Sequence, residues 1–350
     1  MNILIYLENI NYMKEKKVHR EDAKLGVSRI HLLKRWTLSL VSYILIAQFR
    51  LGLRQKYKKY IILKKNFNYC GKNMKKVATL GPSGTFSEMA TLRYLDTQDT
   101  PFEITLFRSI KHALNEIGES CDIGILPIEN FSEGFISLVL DELIELDLVI
   151  MDEIVLPIEF SFIANTPNIE DVKKLYVQFV AKGQCFEFLQ TLANINVETT
   201  ESNIESLHKV MGAEADVAAI VPANSFDASA FSTVVNKVND YENNQTRFLV
   251  LTRSSNKPQQ DYGDRTTIIV LDDDDRPGLL GDVLLSFSKR QINLTSIMSR
   301  PTRKAFGKYH FFIDFDGNQH EPMVADALNE IKLNNNVKIL GSYKRAKLNN

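Results

Sequence analysis

The chain has 350 residues, of which 44% are hydrophobic, and a formal net charge of −1. A chain of this length buries a core over two or three domains, and a net charge near zero does not indicate a nucleic-acid partner. The charge is unevenly divided, because residues 1–73 carry 16 Lys and Arg against 4 Asp and Glu, while the remainder carries 26 against 39. The split predicts a basic N-terminal extension with a separate origin or task.

The most apolar stretch of this extension is WTLSLVSYILIAQF, residues 36–49. Its 14 residues fall short of the roughly 20 that cross a bilayer, and it lies too deep in the chain for a signal peptide. Basic residues flank it, so an alternative is a segment lying on an anionic membrane surface. Because a strand pattern begins almost directly after Met74, we interpret 1–73 as an over-extended start or a tail without a functional part. We expect no membrane partner.

The cysteines and histidines indicate no metal or disulfide framework. Cys70, Cys121 and Cys185 are far apart and form no CxxC pair, which is typical of a reducing, cytoplasmic location. The six histidines show no metal-ligand spacing, so a metal site is not expected.

Strand-like and helix-like segments alternate from residue 75 onward. The first set has predicted strands at 76–80, 103–107, 122–128 and 148–156, and predicted helices near 87–95, 109–117 and 135–146. The second set has predicted helices at 168–175, 183–193 and 203–211, and predicted strands at 175–180, 216–222 and 247–253. This alternation predicts an α/β fold, in two lobes of about 75–100 residues with a ligand cleft between them.

The C-terminal part follows a polar segment, 255–265, that contains Pro and Gly and is typical of a linker. Predicted strands then lie at 266–272, 292–301, 308–316 and 337–343, and predicted helices at 278–290 and 321–333. The order β-α-β-β-α-β is that of a ferredoxin-like unit, here placed at 266–345.

A glycine-rich turn precedes the first predicted helix in VATLGPSGTFSEMA, residues 77–90. Thr85 and Glu88 have the spacing of a capping box, in which each side chain bonds the other residue's amide. Free amides and the helix dipole then predict a seat for a carboxylate or phosphate near Thr85 and Ser87. The alternative is an ordinary strand-to-helix connection. The turn lacks GxGxxG and GK[ST], which disfavours a nucleotide.

Two further motifs place polar groups beside predicted strands. PIENFSEGF, 127–135, ends a strand with Asn130, and polar groups at carboxyl ends of strands in open α/β sheets lie in the ligand crevice. NNQTRF, 243–248, puts Thr246 and Arg247 ahead of an apolar strand. Arginine is suited to bidentate carboxylate binding, and a threonine hydroxyl donates to a leaving oxygen. The alternatives are a polar loop and a solvated strand entry.

Taken together, the motifs VATLGPSGTFSE, PIEN, TRFLVL, RPGLLGDVLLSF, INLTSIMSRP and KYHFFIDFDG resemble those of prephenate dehydratases. The resemblance covers residues 75–345 and is to the monofunctional bacterial form. It implies a two-lobed catalytic domain of periplasmic-binding-protein shape at 74–254 and an ACT regulatory domain. It also implies that prephenate becomes phenylpyruvate, water and carbon dioxide, with phenylalanine as feedback inhibitor.

The resemblance also implies the site residues. Thr246 serves the departing hydroxyl by positioned hydrogen bonding, because a free threonine is too weak an acid to act alone. Substrate-binding residues are expected to be Thr85, Ser87, Asn130, Arg247 and Phe248. No metal and no organic cofactor is needed, since aromatisation drives the loss of carbon dioxide.

In the ACT segment the implied phenylalanine-binding residues form two groups. The first lies at a helix start, where a glycine lets a ligand approach the backbone: Gly278, Leu279 and Leu280. The alternative for it is a simple turn. The second comes from the predicted strand 292–301: Ser299, Arg300 and Pro301. ACT domains usually pair, so a homodimer or homotetramer is expected.

The chain departs from the family pattern at several positions. Phe131 stands where a Ser is usual, Val177–Val180 replaces a Ser-His-Pro-Gln run, and Met298 replaces a Glu. These changes keep open a catalytically weak homologue that binds phenylalanine as a regulator, and arogenate remains an alternative substrate. A solute-binding protein would need an export signal that the sequence does not show.

Overall fold

The computed structural model describes residues 74–192, 194–213, 215–256, 263–271 and 276–346. The expected extension at 1–73 lies outside these residues, as does most of the predicted linker at 255–265. None of the described helices is both long and apolar enough to span a membrane.

The first lobe is built on a mixed sheet in the order β2-β1-β3-β11-β5, with the short β4 on β3. Its elements are β1 Lys75–Leu80, α1 Phe86–Leu95, β2 Phe102–Phe107, α2 Ile110–Asn115, β3 Ile123–Asn130, β4 Gly134–Phe135, α3 Ser137–Glu145, β5 Leu148–Pro157 and β11 Gln245–Arg253. β1 runs parallel to β2 and β3, and β11 runs antiparallel to β3 and β5. The chain leaves this lobe after β5 and returns through β11.

The second lobe is a five-stranded sheet in the order β10-β6-β9-β7-β8. Its elements are β6 Phe160–Ala164, β7 Lys174–Gln178, α4 Phe179–Gln184, α5 Phe186–Thr191, β8 Asn196–Thr200, α6 Asn203–Met211, β9 Val217–Pro222 and β10 Thr233–Asn236. Short 3₁₀ turns lie at Ile169–Asp171, Ala228–Ala230 and, after β11, Ser254–Asn256. Its core packs separately around Phe162, Leu175, Val177 and Ile220.

The C-terminal unit has the predicted βαββαβ order. Its elements are β12 Arg265–Leu271, α7 Leu279–Ser288, β13 Leu294–Pro301, β14 Tyr309–Asp316, α8 Pro322–Lys332 and β15 Asn336–Tyr343. The strands pair antiparallel in the order β13-β14-β12-β15. One sheet face is covered by α7 and α8. Ile269, Phe312, Leu340 and Tyr343 join the core of the first lobe.

The α/β fold in two lobes plus a ferredoxin-like unit is confirmed, and three local predictions are wrong. The predicted helix at 168–175 is a single 3₁₀ turn followed by β7, since KLYVQ alternates buried and partly exposed residues. The strand predicted to reach residue 180 ends at Gln178, whose side chain caps α4. The helix predicted at 183–193 is divided into α4 and α5 at Cys185.

Candidate active site

Thr246 and Asn130 lie opposite each other where β11 begins and β3 ends. Asn130 Nδ2 donates to Thr246 Oγ1 at 2.8 Å and to the carbonyl of Gln245 at 3.2 Å. Both side chains are buried, with 9% of Asn130 and 8% of Thr246 exposed. Because Thr246 Oγ1 accepts from the amide, its own proton stays available for another acceptor. The pair therefore presents a hydrogen-bond donor of fixed orientation.

Asn130 is itself held by the loop that follows it. Its Oδ1 accepts from the backbone amides of Ser132 and Glu133 at 3.0 and 3.1 Å, and from the Ser132 hydroxyl at 2.8 Å. Every polar atom of the Asn130 side chain is thus committed to the protein. We predicted that Asn130 binds substrate, and the contacts instead favour a role in holding Thr246.

The glycine-rich turn leads into α1 at the same edge of the sheet, because β1 and β3 are parallel. Thr85 caps the helix by accepting from the Glu88 amide at 3.4 Å. The reciprocal half of the predicted capping box is wrong: Glu88 Oε2 accepts from the Gly84 amide at 2.6 Å and from the Ser83 hydroxyl at 2.8 Å. Gly84 has φ +89°, the left-handed region that glycine tolerates best.

Two predicted anion-binding groups of this turn already have protein partners. The Gly84 amide is bonded to Glu88, and the Thr85 hydroxyl donates to the Leu80 carbonyl at 3.1 Å. Ser87 is buried with 6% exposed, and its carbonyl accepts from the hydroxyls of Thr79 and Thr91. The first turn of α1 keeps its dipole, which favours an anion in front of it.

A second helix start faces this turn from the other lobe. A Cβ on Gly84 would lie 2.7 Å from Cδ1 of Ile204, in the first turn of α6. Ser202 accepts from the Glu205 amide at 3.2 Å, and Glu205 accepts from the Glu201 amide at 3.0 Å. The Ser-x-x-Glu spacing is visible in the sequence, within the stretch TESNI (200–204), where the family usually has small hydroxyl-bearing residues. Two helix N-termini, one from each lobe, thus meet across the cleft.

Arg247 points away from Thr246, because neighbouring residues of a strand face opposite sides of the sheet. Its guanidinium lies 2.7 Å from Asp314, 3.1 Å from Glu129 and 3.4 Å from Glu153. The structure therefore contradicts the prediction that Arg247 holds a substrate carboxylate, since three protein carboxylates occupy it. Sequence reasoning missed Asp314, which comes from β14.

The electrostatics of this cluster keep Arg247 charged. Burial acts to lower its pKa, and the negative charges around it, Asp314 foremost, outweigh burial and raise the pKa. Arg265 adds a second cation, with Nη1 at 2.8 and 3.0 Å from the two Glu153 oxygens. The cluster is a charge-paired joint between β11 and the C-terminal unit.

Phe248 and Cys185 are buried structural side chains. Phe248 is 1% exposed, which contradicts its predicted contact with substrate. Burial raises the pKa of the Cys185 thiol to about 12, and the charge of Asp240 adds to the shift. A thiol of this kind is almost fully protonated near neutral pH and is a poor nucleophile.

Gln184 connects the two lobes and was not predicted from the sequence. It is 5% exposed and lies at the end of α4. Its Oε1 accepts from Asn244 Nδ2 at 3.0 Å, and its Nε2 lies 3.5 Å from Glu133 Oε1. Glu133 belongs to the loop that holds Asn130, so this contact ties the second lobe to the Thr246 region.

The two predicted effector groups lie at the same end of the C-terminal sheet. Gly278 caps α7 with φ +85° and precedes Leu279, which is 8% exposed, and Leu280. Ser299 and Val270 both pair with Phe311, from opposite sides of β14, so one strand separates the groups. Arg300, next to Pro301, bonds both oxygens of Asp141 in α3 at 2.8 and 2.9 Å.

The sequence matches the prephenate dehydratase family model over residues 77–256 and the ACT domain model over 267–332. The chain belongs to the prephenate dehydratase family. Its members are hydro-lyases of phenylalanine biosynthesis.

Relatives and solved structures agree with this assignment. The bifunctional chorismate mutase/prephenate dehydratase of Aquifex aeolicus is 34% identical over 78% of this chain and 74% of its own length. The prephenate dehydratase of Bacillus subtilis is 30% identical over 78% of this chain and its full length. The Staphylococcus aureus enzyme structure has a TM-score of 0.63 at 31% identity, covering 77% of this chain and 99% of its own. The Arthrobacter aurescens enzyme, solved in complex with L-Phe, has 0.65 at 28%, covering 77% and 90%.

The Thr246–Asn130 hydrogen bond is present although the chain departs from the family pattern at nearby positions. Phe131 lines a cavity of about 420 Å³ together with Glu129 and Arg247. Gln178 caps α4 by accepting from the amides of Val180 and Ala181 at 2.9 and 3.1 Å. These substitutions therefore leave the Thr246–Asn130 pair intact.

Proposed function

We propose that the chain catalyses the decarboxylating dehydration of prephenate to phenylpyruvate. The observation that carries the proposal is the Thr246 hydroxyl, which accepts from Asn130 and keeps its proton for a leaving oxygen. In the reaction the bond from the ring to its carboxylate breaks, and its electrons enter the ring. The ring C–O bond breaks at the same time, the carboxylate departs as carbon dioxide, and the hydroxyl leaves as water after taking up one proton from solvent.

The two substrate carboxylates need positive partners, and Arg247 is not one of them. We assign this role to the N-termini of α1 and α6, which approach each other at Gly84 and Ile204. Helix N-termini bind anions through unpaired amides and the helix dipole. Thr85 and Ser87, at the start of α1, then act through the backbone of their turn.

Thr246 contributes by stabilising charge on the departing oxygen. A hydrogen bond that strengthens only as this charge develops lowers the barrier without tightening substrate binding. The hydroxyl retains its proton or shares it transiently, and Asn130 prevents it from rotating away. No metal or organic cofactor is required for this chemistry.

Phenylalanine is the proposed inhibitor, bound at the ACT domain, and the cytoplasm is the proposed location. Support for inhibition comes from the ACT match at 267–332 and from the relative solved with L-Phe. We place the effector near Gly278–Leu280 and Ser299–Pro301, at the same end of the sheet. Pairing of ACT domains into a homodimer or homotetramer accompanies this proposal.

The test is a phenylpyruvate-formation assay with the purified full-length chain, run with prephenate and with arogenate. We expect turnover of prephenate, with a lower kcat/KM for arogenate, whose product is phenylalanine. Calorimetry with phenylalanine accompanies the assay. Phenylalanine binding without turnover of either substrate would reject the enzyme and favour a regulatory homologue.

A further inference from the structure

The pairing of β3 with β11 places two cross-strand pairs next to each other. Thr246 pairs with Asn130, and Arg247 pairs with Glu129. The first pair faces the cleft and the second faces the ACT domain, since strand neighbours point to opposite faces. The register shifts between Arg247 and Phe248, and such bulges often re-aim a side chain beside an active site. The Arg247–Glu129 pair therefore lies directly behind the Thr246–Asn130 pair, on the opposite face of the same two strands.

Asp314 makes the shortest contact to Arg247. Its Oδ2 accepts from Arg247 Nη1 at 2.7 Å, and its Oδ1 accepts from the Thr267 hydroxyl at 2.7 Å. Asp314 is 6% exposed, so both oxygens are committed in a site that water barely reaches. A buried charge that loses its partner is strongly disfavoured. This arrangement holds Arg247 in one orientation.

We propose that Asp314 is a positioning residue for the dehydration, although it belongs to the ACT domain. It holds Arg247, and through Arg247 it fixes the strand position of the adjacent Thr246. Asp314 touches no reacting atom.

The position of β14 also brings Asp314 close to the proposed phenylalanine site. Its other neighbour is β13, where Ser296 pairs with Asp314 and Ser299 pairs with Phe311. A displacement of the proposed effector segment reaches Asp314 across a single ladder of hydrogen bonds. The carboxylate thus lies between the proposed phenylalanine site and Thr246, and its loss should weaken inhibition as well as turnover.

The test compares Asp314→Asn with Asp316→Asn in the full-length chain. Both residues lie in β14 and both changes remove one charge, but Asp316 bonds Arg345 and Asn293 instead of Arg247. With prephenate, Asp314→Asn should lower kcat by about 10- to 100-fold, with KM changed less than about threefold. Asp316→Asn should leave both near the parent values. Asp314→Glu, which keeps the carboxylate, should restore part of the loss.

Hydrogen exchange gives a second readout, independent of activity. Backbone amides of Gln245–Arg253 and of the 130–135 loop should exchange faster in Asp314→Asn than in the parent chain. In Asp316→Asn their exchange rates should equal those of the parent. The kinetic comparison rests on the proposed function. If the parent chain did not turn over prephenate, the proposed function would be rejected. The hydrogen-exchange comparison would still test whether Asp314 holds the strand that carries Thr246. Parent-like exchange of this strand in Asp314→Asn overturns the inference, as does an equal loss of kcat in both variants.

Discussion

The first lobe is joined to the ACT domain and to the second lobe in two different ways. Toward the ACT domain it shares a continuous apolar core and several ion pairs, among them the largely buried Arg247–Asp314 and the partly buried Arg300–Asp141. Toward the second lobe the described contacts lie at the cleft edge: Phe86 meets Phe160 edge to face at 5.6 Å, and Gln184 reaches Glu133 at 3.5 Å.

These two kinds of contact predict that the second lobe moves relative to the first lobe more readily than the ACT domain does. A joint with a shared core and buried ion pairs resists sliding, because each displaced charge would lose its partner. Contacts at a cleft edge, with two chain connections, allow the hinge closure common in two-lobed proteins. We expect the second lobe to close over substrate, and the ACT domain to act by changing the back of the first lobe's sheet.

The largest effect on the fixed joint is expected for Arg247→Ala. Removing the guanidinium leaves Asp314 buried without its charged partner, which costs about 3–5 kcal/mol of unfolding free energy, whereas Glu153 keeps its contact with Arg265. Arg253→Ala, at the other end of β11, is the control: Arg253 bonds the Ile117 carbonyl at 2.7 Å, and its loss costs about 1 kcal/mol. Urea unfolding measures the free energy of unfolding of both variants. Equal losses would show that the ion pairs of Arg247 stabilise the protein no more than the single hydrogen bond of Arg253.

A smaller effect is expected for Lys338→Met, which acts on α3. Lys338 Nζ donates to the carbonyls of Leu143, Ile144 and Leu146 at 2.9, 3.2 and 2.6 Å, and burial lowers its pKa. Methionine removes the Lys338 donor from the carbonyls of Leu143 and Ile144, while the Leu146 carbonyl keeps its bond from the Leu148 amide, so we expect a loss of about 1–3 kcal/mol.

The control for Lys338 is Lys332→Met, the same change at an exposed site at the end of α8. It should stay within about 0.5 kcal/mol of the parent. If thermal or urea unfolding gave both variants the same stability, the contact of Lys338 with α3 would contribute nothing to the joint.

The smallest effect concerns acid stability within the ACT domain. Hydrogen bonds from Arg290 and Lys289 lower the pKa of Glu330 from 4.5 to about 2. A carboxylate whose folded pKa is depressed stabilises the fold above its unfolded pKa, and this is lost as pH falls from about 4.5 to about 2. Glu330→Gln should flatten the fall in stability across that window. The exposed Asp326→Asn in the same helix is the control, and an unchanged slope in Glu330→Gln would contradict the linkage.

Much of the architecture was predictable from sequence because its patterns are local. Alternating strands and helices gave two α/β lobes, and the βαββαβ order gave the ferredoxin-like unit. The rule that polar groups at the carboxyl ends of strands lie in the ligand crevice placed Asn130 there, whereas Thr246, at the start of its strand, was assigned by the family resemblance. The short β6, β8 and β10 were missed, and polar β8 strand NVETT carries no clear apolar alternation.

The ion-pair cluster around Arg247 could not be predicted from local sequence patterns. Arg247 was assigned to substrate because its chemistry suits a carboxylate, although strand alternation indicates that Thr246 and Arg247 face opposite sides. Its true partner, Asp314, is 67 residues away in another domain. An acid inside the apolar run FFIDFD was the available signal, since a buried carboxylate needs a partner. The identity of that partner depends on tertiary packing.

The central claim is that the cleft-facing side of β11 carries the chemistry, and Thr246→Val tests it most directly. Thr252→Val is the matched control, because Thr252 is in the same strand, is 2% exposed and donates only inside the protein, to the Asp122 carbonyl at 3.1 Å. We predict that Thr246→Val lowers kcat for prephenate by about 10²–10³-fold, or about 3–4 kcal/mol of barrier, with KM and melting temperature little changed. Thr252→Val should keep its kcat. Parent-level turnover by Thr246→Val would contradict the account.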